Sequence, residues 1–572
     1  RVLFRSVESV KIGVDLGTTT SLVGVFDQGE IRILEIEPGV ICLPSVVNLM
    51  NGREYLVGRS AMESLVGTTI VEMKRFIGKK LLKGRTGDKQ LQALVDKVNE
   101  LYSKNEDKRW GYTVERDDDG SLLVKIIESG EQQESTLSLR PQDIAFFILH
   151  KIKKAVMKYL NIDENTPIDV VLGIPASFSA ASIDATREAV EMAGMRCVHT
   201  VKEPLAAATC KKQDGEGYYL YFDFGGGTLD IAIVELSHEQ LIEKKSFGDP
   251  QLGGNDIDYK IMELIKERAK EELEDEVDDD VVEKLVKDIS NMKLKEEAER
   301  VKIELSNKYN SATADKAEFV SVEREVLRLL NDDGRRLLKE MGIDDVKIEI
   351  TYNEVEEKCN ELFKRCITTL DKALRVNNLH KSDIKKVVMV GGSCKMPGIY
   401  NRLCEYFIKP ELIDKSTDDL ELLVCKGCAS IANNVTAYPC EFNRSVMTMH
   451  DIGVRTTDDI DVVLPAKSEV GTSKSEVYQT TYDYQNQVCV DVMEGDTIIG
   501  SIQVKVPPKP AGEVEVTVTF TVLDGGDVDI SARVSKPENP DKGYQGPVSI
   551  RVHPEWSEIP NEDIAAQAEY LL

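Results

Sequence analysis

Two segments of this chain repeat one pattern, and no other feature constrains the fold as tightly. The first is Ile12-Gly13-Val14-Asp15-Leu16-Gly17-Thr18-Thr19-Thr20-Ser21, and the second is Tyr221-Phe222-Asp223-Phe224-Gly225-Gly226-Gly227-Thr228-Leu229-Asp230-Ile231. Each runs from an apolar strand through an Asp and a Gly/Thr turn into a second apolar strand, the pattern of a β-hairpin with its Asp and glycines at the tip. Glycine lets backbone N–H groups approach phosphate oxygens, and the Thr hydroxyls add donors. An Asp at each strand end can hold a hydrated magnesium ion, which keeps several waters and needs few carboxylates. Either hairpin alone is equally well a tight glycine turn. Two of them, a lobe's worth of sequence apart, predict tips that face each other and clamp a triphosphate.

A third segment completes the arrangement. Val387-Val388-Met389-Val390-Gly391-Gly392-Ser393 is a buried-type strand running into a Gly-Gly turn, where backbone can lie flat against adenine or ribose. Alone, such a turn is common structure. Around these segments, from about Ser9 to Ala437, short apolar strands alternate with helical patterns, as an α/β architecture requires. The strands are expected at 11–16, 21–26, 169–174, 218–222, 231–234 and 386–390, with a helix at 180–193. Between Asp256 and Ser306 the sequence turns charged and helical, with Ile261, Leu264, Ile265 and Ala269 at helical spacing, which reads as an inserted helical subdomain. After Tyr438 the period changes to two. Glu513–Phe520 alternates cleanly and Asp524-Gly525-Gly526 follows as a turn, so 452–552 reads as a separate all-β domain of roughly a hundred residues.

A length of 572 residues exceeds what one core supports, so two or more domains are expected. The net charge of −28 argues against non-specific nucleic-acid binding, which needs clustered Lys and Arg. No apolar run approaches membrane-spanning length. Eleven cysteines, scattered and odd in number, do not read as a disulfide framework, and a reducing compartment is the simpler reading. The sequence opens on Arg1 rather than Met, which leaves a targeting segment open.

These residues resemble the heat-shock protein 70 family of DnaK-like molecular chaperones, in the actin and sugar-kinase superfamily, as a divergent member. The likeness runs from about Val10 to the end of the chain. It includes Val71-Glu72-Met73-Lys74-Arg75-Phe76-Ile77-Gly78, Gly173-Ile174-Pro175-Ala176-Ser177-Phe178, Lys202-Glu203-Pro204-Leu205-Ala206-Ala207-Ala208 and Gly248-Asp249-Pro250-Gln251-Leu252-Gly253-Gly254. The resemblance implies an α/β actin-like ATPase of two ribonuclease-H-like lobes, then a β-sandwich domain and the start of a helical lid. Its implied bounds are an N-terminal extension at 1–8, the ATPase domain at 9–440 with a helical subdomain at 256–350, a linker at 441–451, the peptide-binding sandwich at 452–555 and the lid from 556 to 572.

The resemblance also implies roles. Lys74 is the lysine that positions the attacking water and neutralises the γ-phosphate; Glu203 orients water or metal; Asp15 and Asp223 belong to the magnesium sphere, with Glu203 acting through water. Gly17, Thr18, Thr19, Thr20, Gly225, Gly226, Gly227 and Thr228 contact phosphate. Glu299, Lys302 and Ser306, on one helix face by their spacing, hold the nucleoside with Gly391, Gly392, Ser393 and Lys395. Val454, Tyr478, Val488, Val490 and Val492 line a pocket for an extended apolar peptide. The same valine spacing also suits ordinary sandwich core. Implied ligands are ATP, ADP and magnesium; implied partners are unfolded peptides, J-domain co-chaperones and nucleotide exchange factors, with no nucleic acid and no membrane. A cytoplasmic location is expected, with organellar and lumenal ones open.

The sequence departs from the family in places. Where the family stacks adenine between two arginines, this chain has Ile303 and Lys395, so an altered base preference is expected. The leucine-rich linker is replaced by Phe442-Asn443-Arg444-Ser445-Val446, and its docking arginine by Ile183, which puts interdomain coupling in question. Stretches 83–109 and 325–347 are longer than the family norm. Elsewhere, Cys425-Lys426-Gly427-Cys428 has redox spacing but reads as buried packing, the six histidines form no ligand cluster, and Glu272–Asp280 reads as a solvated acidic surface. The expected activity is that of an ATP-dependent chaperone. The alternatives are an ATP-binding regulator or co-chaperone of the same family, and a metabolite kinase of the superfamily.

Overall fold

The computed structural model describes residues 9–552 apart from 51–53, 65, 82–87, 104–110, 129–134, 211–212, 239, 313–318, 415–419, 438–450, 457–459, 466–467, 469–471, 495–496, 523–527 and 536–547. The expected extension at 1–8, the linker except Asp451, and the expected lid lie outside the described residues, as does the turn at Asp524–Gly526. The chain divides into two compact units: one holds residues up to 439 apart from 178–188, and the other holds those residues with 440–570.

The larger unit is built on two sheets of the same plan. In the first, strand Val10–Leu16 pairs antiparallel with Thr20–Asp27 and parallel with Ile168–Ile174, which in turn runs parallel to Arg196–Lys202. In the second, Gly217–Phe224 pairs antiparallel with Leu229–Ser237 and parallel with Ile384–Val390. Each sheet therefore sets a hairpin beside a parallel strand, and the central stretches of these strands are buried on both faces, as in strands covered by helices. Strand Ile168–Ile174 is buried along its whole length.

Helices Glu203–Thr209 and Leu423–Ala432 cross where glycine removes the side chain. A Cβ on Gly427 would lie 1.9 Å from the Ala206 carbonyl oxygen, and one on Gly13 would lie 2.0 Å from the Ala429 nitrogen. The helix is thereby drawn down onto both its neighbour and the first hairpin. Cys425 and Cys428 are fully buried in that packing.

The charged stretch after Leu252 forms helices Gly254–Glu274, Asp279–Lys287 and Asn291–Ser311, then the antiparallel pair Ser321–Glu325 and Lys347–Thr351. These share one hydrophobic core with the second sheet, through Leu252, Ile261, Ile265, Val301 and Leu305 among others. Within the longer stretches, Asp88–Tyr102 and Asp332–Glu340 are helical.

The smaller unit is two four-stranded antiparallel sheets. One runs Ile460–Leu464, Ile452–Arg455, Gln487–Glu494, Thr497–Lys505, and the other Ser473–Gln479, Glu515–Val522, Val528–Val534, Val548–Val552. The alternating stretch starts as a regular strand at Glu515 rather than Glu513. The preceding turn, with Gly512 at φ +80° and Glu513 N–H donating to the Pro510 carbonyl, uses up the first two residues.

Candidate nucleotide site

The two hairpin tips meet. A Cβ on Gly226 would stand 1.9 Å from Thr19 Oγ1, and one on Gly227 would stand 2.7 Å from Thr18 Oγ1, so only glycine permits this approach. The first tip is braced from below, with Ser45 Oγ donating to the Gly17 carbonyl at 2.8 Å and Ser45 N–H to the Thr19 carbonyl at 2.8 Å. The second is closed by Gly225 N–H to the Thr228 carbonyl at 3.1 Å. Its carbonyls are capped by the start of the next long helix, as Gly254 and Asn255 N–H donate to Gly225 and Gly226. Thr20 begins the returning strand and pairs with Pro44. Thr19 Oγ1 is buried and has no hydrogen-bond partner. A buried hydroxyl at a glycine tip, lacking a partner, is what an incoming phosphate oxygen would satisfy.

Beneath the tips lies a cluster of charge. Lys74 Nζ donates to Glu203 Oε1 at 2.6 Å, and both side chains are buried. Lys74 sits on a short 3₁₀ turn, Met73–Phe76, all four residues of which are buried. Asp15 is surrounded by protein while keeping a little surface open; burial first, then Glu203, pushes its carboxyl up to about 7, with Lys74 pulling the other way. Asp223 is pushed well above the carboxylate range by burial, then by Glu203, Asp230 and Asp15. Burial opposes the charge on Lys74, but Glu203 and Asp15 outweigh it and hold the ammonium protonated. Thus Asp15, Asp223, Lys74 and Glu203 stand within electrostatic reach of one another, although they are far apart in the chain.

Asp230 belongs to the same cluster, and the sequence reading passed over it. It stands directly across the ladder from Asp223, is 1 % exposed, and accepts Ser177 N–H at 3.1 Å. Burial, then Glu203, pushes it up to about 6, while the Thr228 hydroxyl and Lys74 work against this. The signal was available: a turn that pairs residue 225 with 228 must place 230 opposite 223. Four carboxylates face one lysine here, an excess of negative charge that a cation would relieve.

The third segment lies beside the second tip. Gly391, at φ +84°, would carry a Cβ 2.6 Å from the Phe224 carbonyl oxygen and 2.9 Å from Asp223 Oδ1. Ser393 Oγ donates to the Gly225 carbonyl at 2.9 Å, and a Cβ on Gly392 would meet Glu421 at 2.8 Å. On helix Asn291–Ser311, Lys302 Nζ pairs with Asp258 at 2.7 Å and reaches the Gly254 carbonyl at 3.4 Å. Ser306 Oγ donates back to the Lys302 carbonyl, and Glu299 is half-buried one turn earlier. Lys395 instead pairs with Glu421 at 2.9 Å, and Ile303 is half-exposed.

A profile of the family described as "Hsp70 protein" matches residues 11–543. The chain belongs to the Hsp70 family. Among curated relatives it is 27 % identical over 538 residues to "Chaperone protein DnaK 1" of Synechococcus sp., and 27 % identical over 538 residues to "Chaperone protein dnaK3" of Synechococcus elongatus. Each alignment takes in 91 % of this chain and 64 % of the relative, so this Hsp70 chain spans just under two thirds of the length of the relatives it matches.

Among the described residues of this Hsp70, no group of three or more His, Cys, Asp or Glu side chains is placed to hold a metal directly. The Asp15, Asp223 and Glu203 carboxylates suit a magnesium ion that keeps its own waters. In the smaller unit Val454, Val490 and Val492 point into the sandwich core, and Tyr478 and Val488 pack half-buried against it. Tyr478 donates its hydroxyl to Asp461 at 2.9 Å. The structure thus gathers all five residues around one core, three of them inside it. No described helix of this Hsp70 is long and apolar enough to cross a membrane. The ten described cysteines are all free.

Proposed function

We propose that the larger unit binds and hydrolyses ATP, and that this turnover modulates the binding of unfolded apolar segments by the smaller unit, as in an ATP-dependent chaperone. One observation carries the nucleotide reading: Thr18 and Thr19 meet Gly226 and Gly227, on hairpins whose Asp15 and Asp223 stand within electrostatic reach of the buried Lys74–Glu203 pair. Hydroxyls and glycine N–H groups from opposite sides receive the phosphates. Lys74, held charged on Glu203, neutralises the γ-phosphate and, with Glu203, aligns a water for in-line attack on its phosphorus, with ADP as the leaving group. Asp15 and Asp223, with Glu203 through water, are the residues that would hold magnesium, which supplies a local positive charge against the triphosphate. Phosphoryl transfer asks for such positioning and charge balance rather than covalent chemistry.

Ser393, Lys302, Ser306 and Glu299 form the nucleoside side. Ile303 and Lys395 replace a pair of stacking guanidinium groups, so base recognition is looser than in relatives that have them. In this reading half-buried Tyr478 and Val488 bound the peptide site, over a floor of Val454, Val490 and Val492 that is closed in the present structure and must open to admit peptide, with J-domain proteins and exchange factors as partners. The free thiols support a reducing, cytoplasm-like location.

Single-turnover hydrolysis with and without an apolar peptide, in the intact chain and in Lys74→Ala, tests the reading. The parent is expected to release phosphate to water, faster with peptide. Lys74→Ala is expected to bind ATP and lose hydrolysis by about two orders of magnitude or more, since it removes a contact made in the transition state. Unchanged turnover in Lys74→Ala removes its assigned role, and turnover indifferent to every apolar peptide favours a regulator over a chaperone.

A further inference from the structure

The segment that carries Lys74 carries a second lysine of a different kind. After the turn Met73–Phe76 the chain extends through Ile77 and reverses at Gly78, φ +64°, and the Lys79 N–H donates back to the Phe76 carbonyl at 3.1 Å. The Lys79 side chain is half-buried and, among the described residues, makes no hydrogen bond and no ion pair. Asp230 and Asp249 act on its charge, yet both are already engaged. Asp249 takes two bonds at 2.7 Å from Arg365 and one at 3.1 Å from the Gln251 N–H. Asp230 accepts from the Ser177 N–H at 3.1 Å and from the Thr228 hydroxyl. Burial, then the charge of Arg75, brings the Lys79 ammonium down to about 8.

Two more donors near these groups lack an acceptor. Ser177 Oγ is buried without a hydrogen-bond partner, although the N–H of the same residue is spent on Asp230. Arg75 Nε is buried without one as well. Unsatisfied buried donors are rare and costly, and an unpaired ammonium beside them asks for an acceptor with several oxygens and a negative charge. Asp230 joins this neighbourhood to the cluster around Lys74, since it acts on Lys74 as well as on Lys79. In the nucleotide reading, the phosphate cut from ATP faces Lys74 and has ADP on its other side. Its first move is therefore toward the groups beyond Lys74.

Resting on the nucleotide reading above, we infer that Lys79 and Ser177, beside Asp230, form a second anion site that holds the orthophosphate made by hydrolysis after it leaves Lys74. Dihydrogen phosphate matches the groups present. Its oxygens accept from Lys79 Nζ and Ser177 Oγ, and one of its own hydroxyls donates to the Asp230 carboxylate. That last bond separates phosphate from an anion with no hydrogen to give. Sulfate would set its charge against Asp230 with no proton between them. No covalent bond forms or breaks at this site.

The test is equilibrium dialysis of radiolabelled inorganic phosphate against the intact chain saturated with magnesium and AMP-PNP, a non-hydrolysable analogue that fills the γ-phosphate position. The parent is expected to bind one further phosphate. Lys79→Met is expected to weaken that binding at least about ten-fold, and Ser177→Ala about five-fold, as loss of a charge-assisted bond and of a neutral one does. Lys79→Arg keeps the charge and should stay within about three-fold of the parent. Sulfate should fail to displace the label. AMP-PNP affinity in each variant checks the fold, and Ser177→Ala carries the comparison if Lys79→Met does not fold. No phosphate beyond the analogue, equal binding in the parent and the two removal variants, or displacement by sulfate as readily as by unlabelled phosphate overturns the site. A parent that binds no AMP-PNP sinks the nucleotide reading instead, and dialysis without nucleotide then decides the anion site by the same comparison of variants.

Discussion

At the scale of single residues, the site depends on side chains that are missing as much as on those present. A methyl group at Gly226 would occupy the space of Thr19 Oγ1, and neither tip can retreat without leaving its hydrogen-bonded support. Gly226→Ala is therefore expected to keep the fold and to weaken ATP binding at least about a hundred-fold, measured by calorimetric titration. Wild-type affinity would mean that the tips do not converge in solution. Asp15, Asp223, the threonines and the glycines are local signals, legible because a strand–Asp–glycine–strand pattern announces its own turn. Asp230 needed one further step, the cross-strand register. The burial of Lys74 and Arg75 was not legible at all. The carboxylates that make it tolerable, Glu203, Asp256 and Glu72, come mostly from far along the chain.

At the scale of elements, two short pieces bear more than their length suggests. One is the turn after Glu72. Burial alone would raise the Glu72 carboxyl, but Lys295 and then Arg75 outweigh it and bring it from 4.5 down to about 2. A carboxyl depressed by folding adds stability that is fully present above about pH 4.5 and is lost as pH falls toward 2. Urea unfolding at pH 5 and pH 3 should show the parent losing about 2 kcal/mol more than Glu72→Gln over this interval. Equal losses would show that Glu72 is not held by these partners. The other piece is helix Leu423–Ala432, seated against backbone through Gly427 and Gly13. Gly427→Ala is expected to destabilise the larger unit by about 3 kcal/mol, because the obstructing atom is a carbonyl rather than a side chain that can move aside. Burial also raises the Cys425 and Cys428 thiols well above their ordinary range. In the native chain a maleimide should label exposed Cys489 and reach those two only after unfolding.

At the scale of the whole molecule, two α/β sheets of one plan and an eight-stranded sandwich have separate cores. Magnesium and ATP should stabilise the unit that binds them and, through the proposed coupling, move the sandwich as well. Calorimetry at about a hundred times the dissociation constant is expected to raise the transition of the larger unit by a few degrees and to shift that of the sandwich with it. A sandwich transition left in place would count against modulation of the smaller unit by nucleotide. The change from helical to two-residue periodicity near Tyr438 made the division legible, since each periodicity buries a different pattern of side chains.

The sequence by itself determined the local chemistry: where strands turn, where glycine admits backbone, which carboxylates end a strand, and which period each region follows. These follow from interactions a few residues long. Only the tertiary structure decided that Lys74 and Arg75 lie buried on one turn serving two ionic systems. It also set Asp230 among the buried carboxylates around Lys74 and turned Val454, Val490 and Val492 inward. Each of these depends on groups brought together from distant parts of the chain, where burial and charge are properties of the assembled neighbourhood and of no single segment.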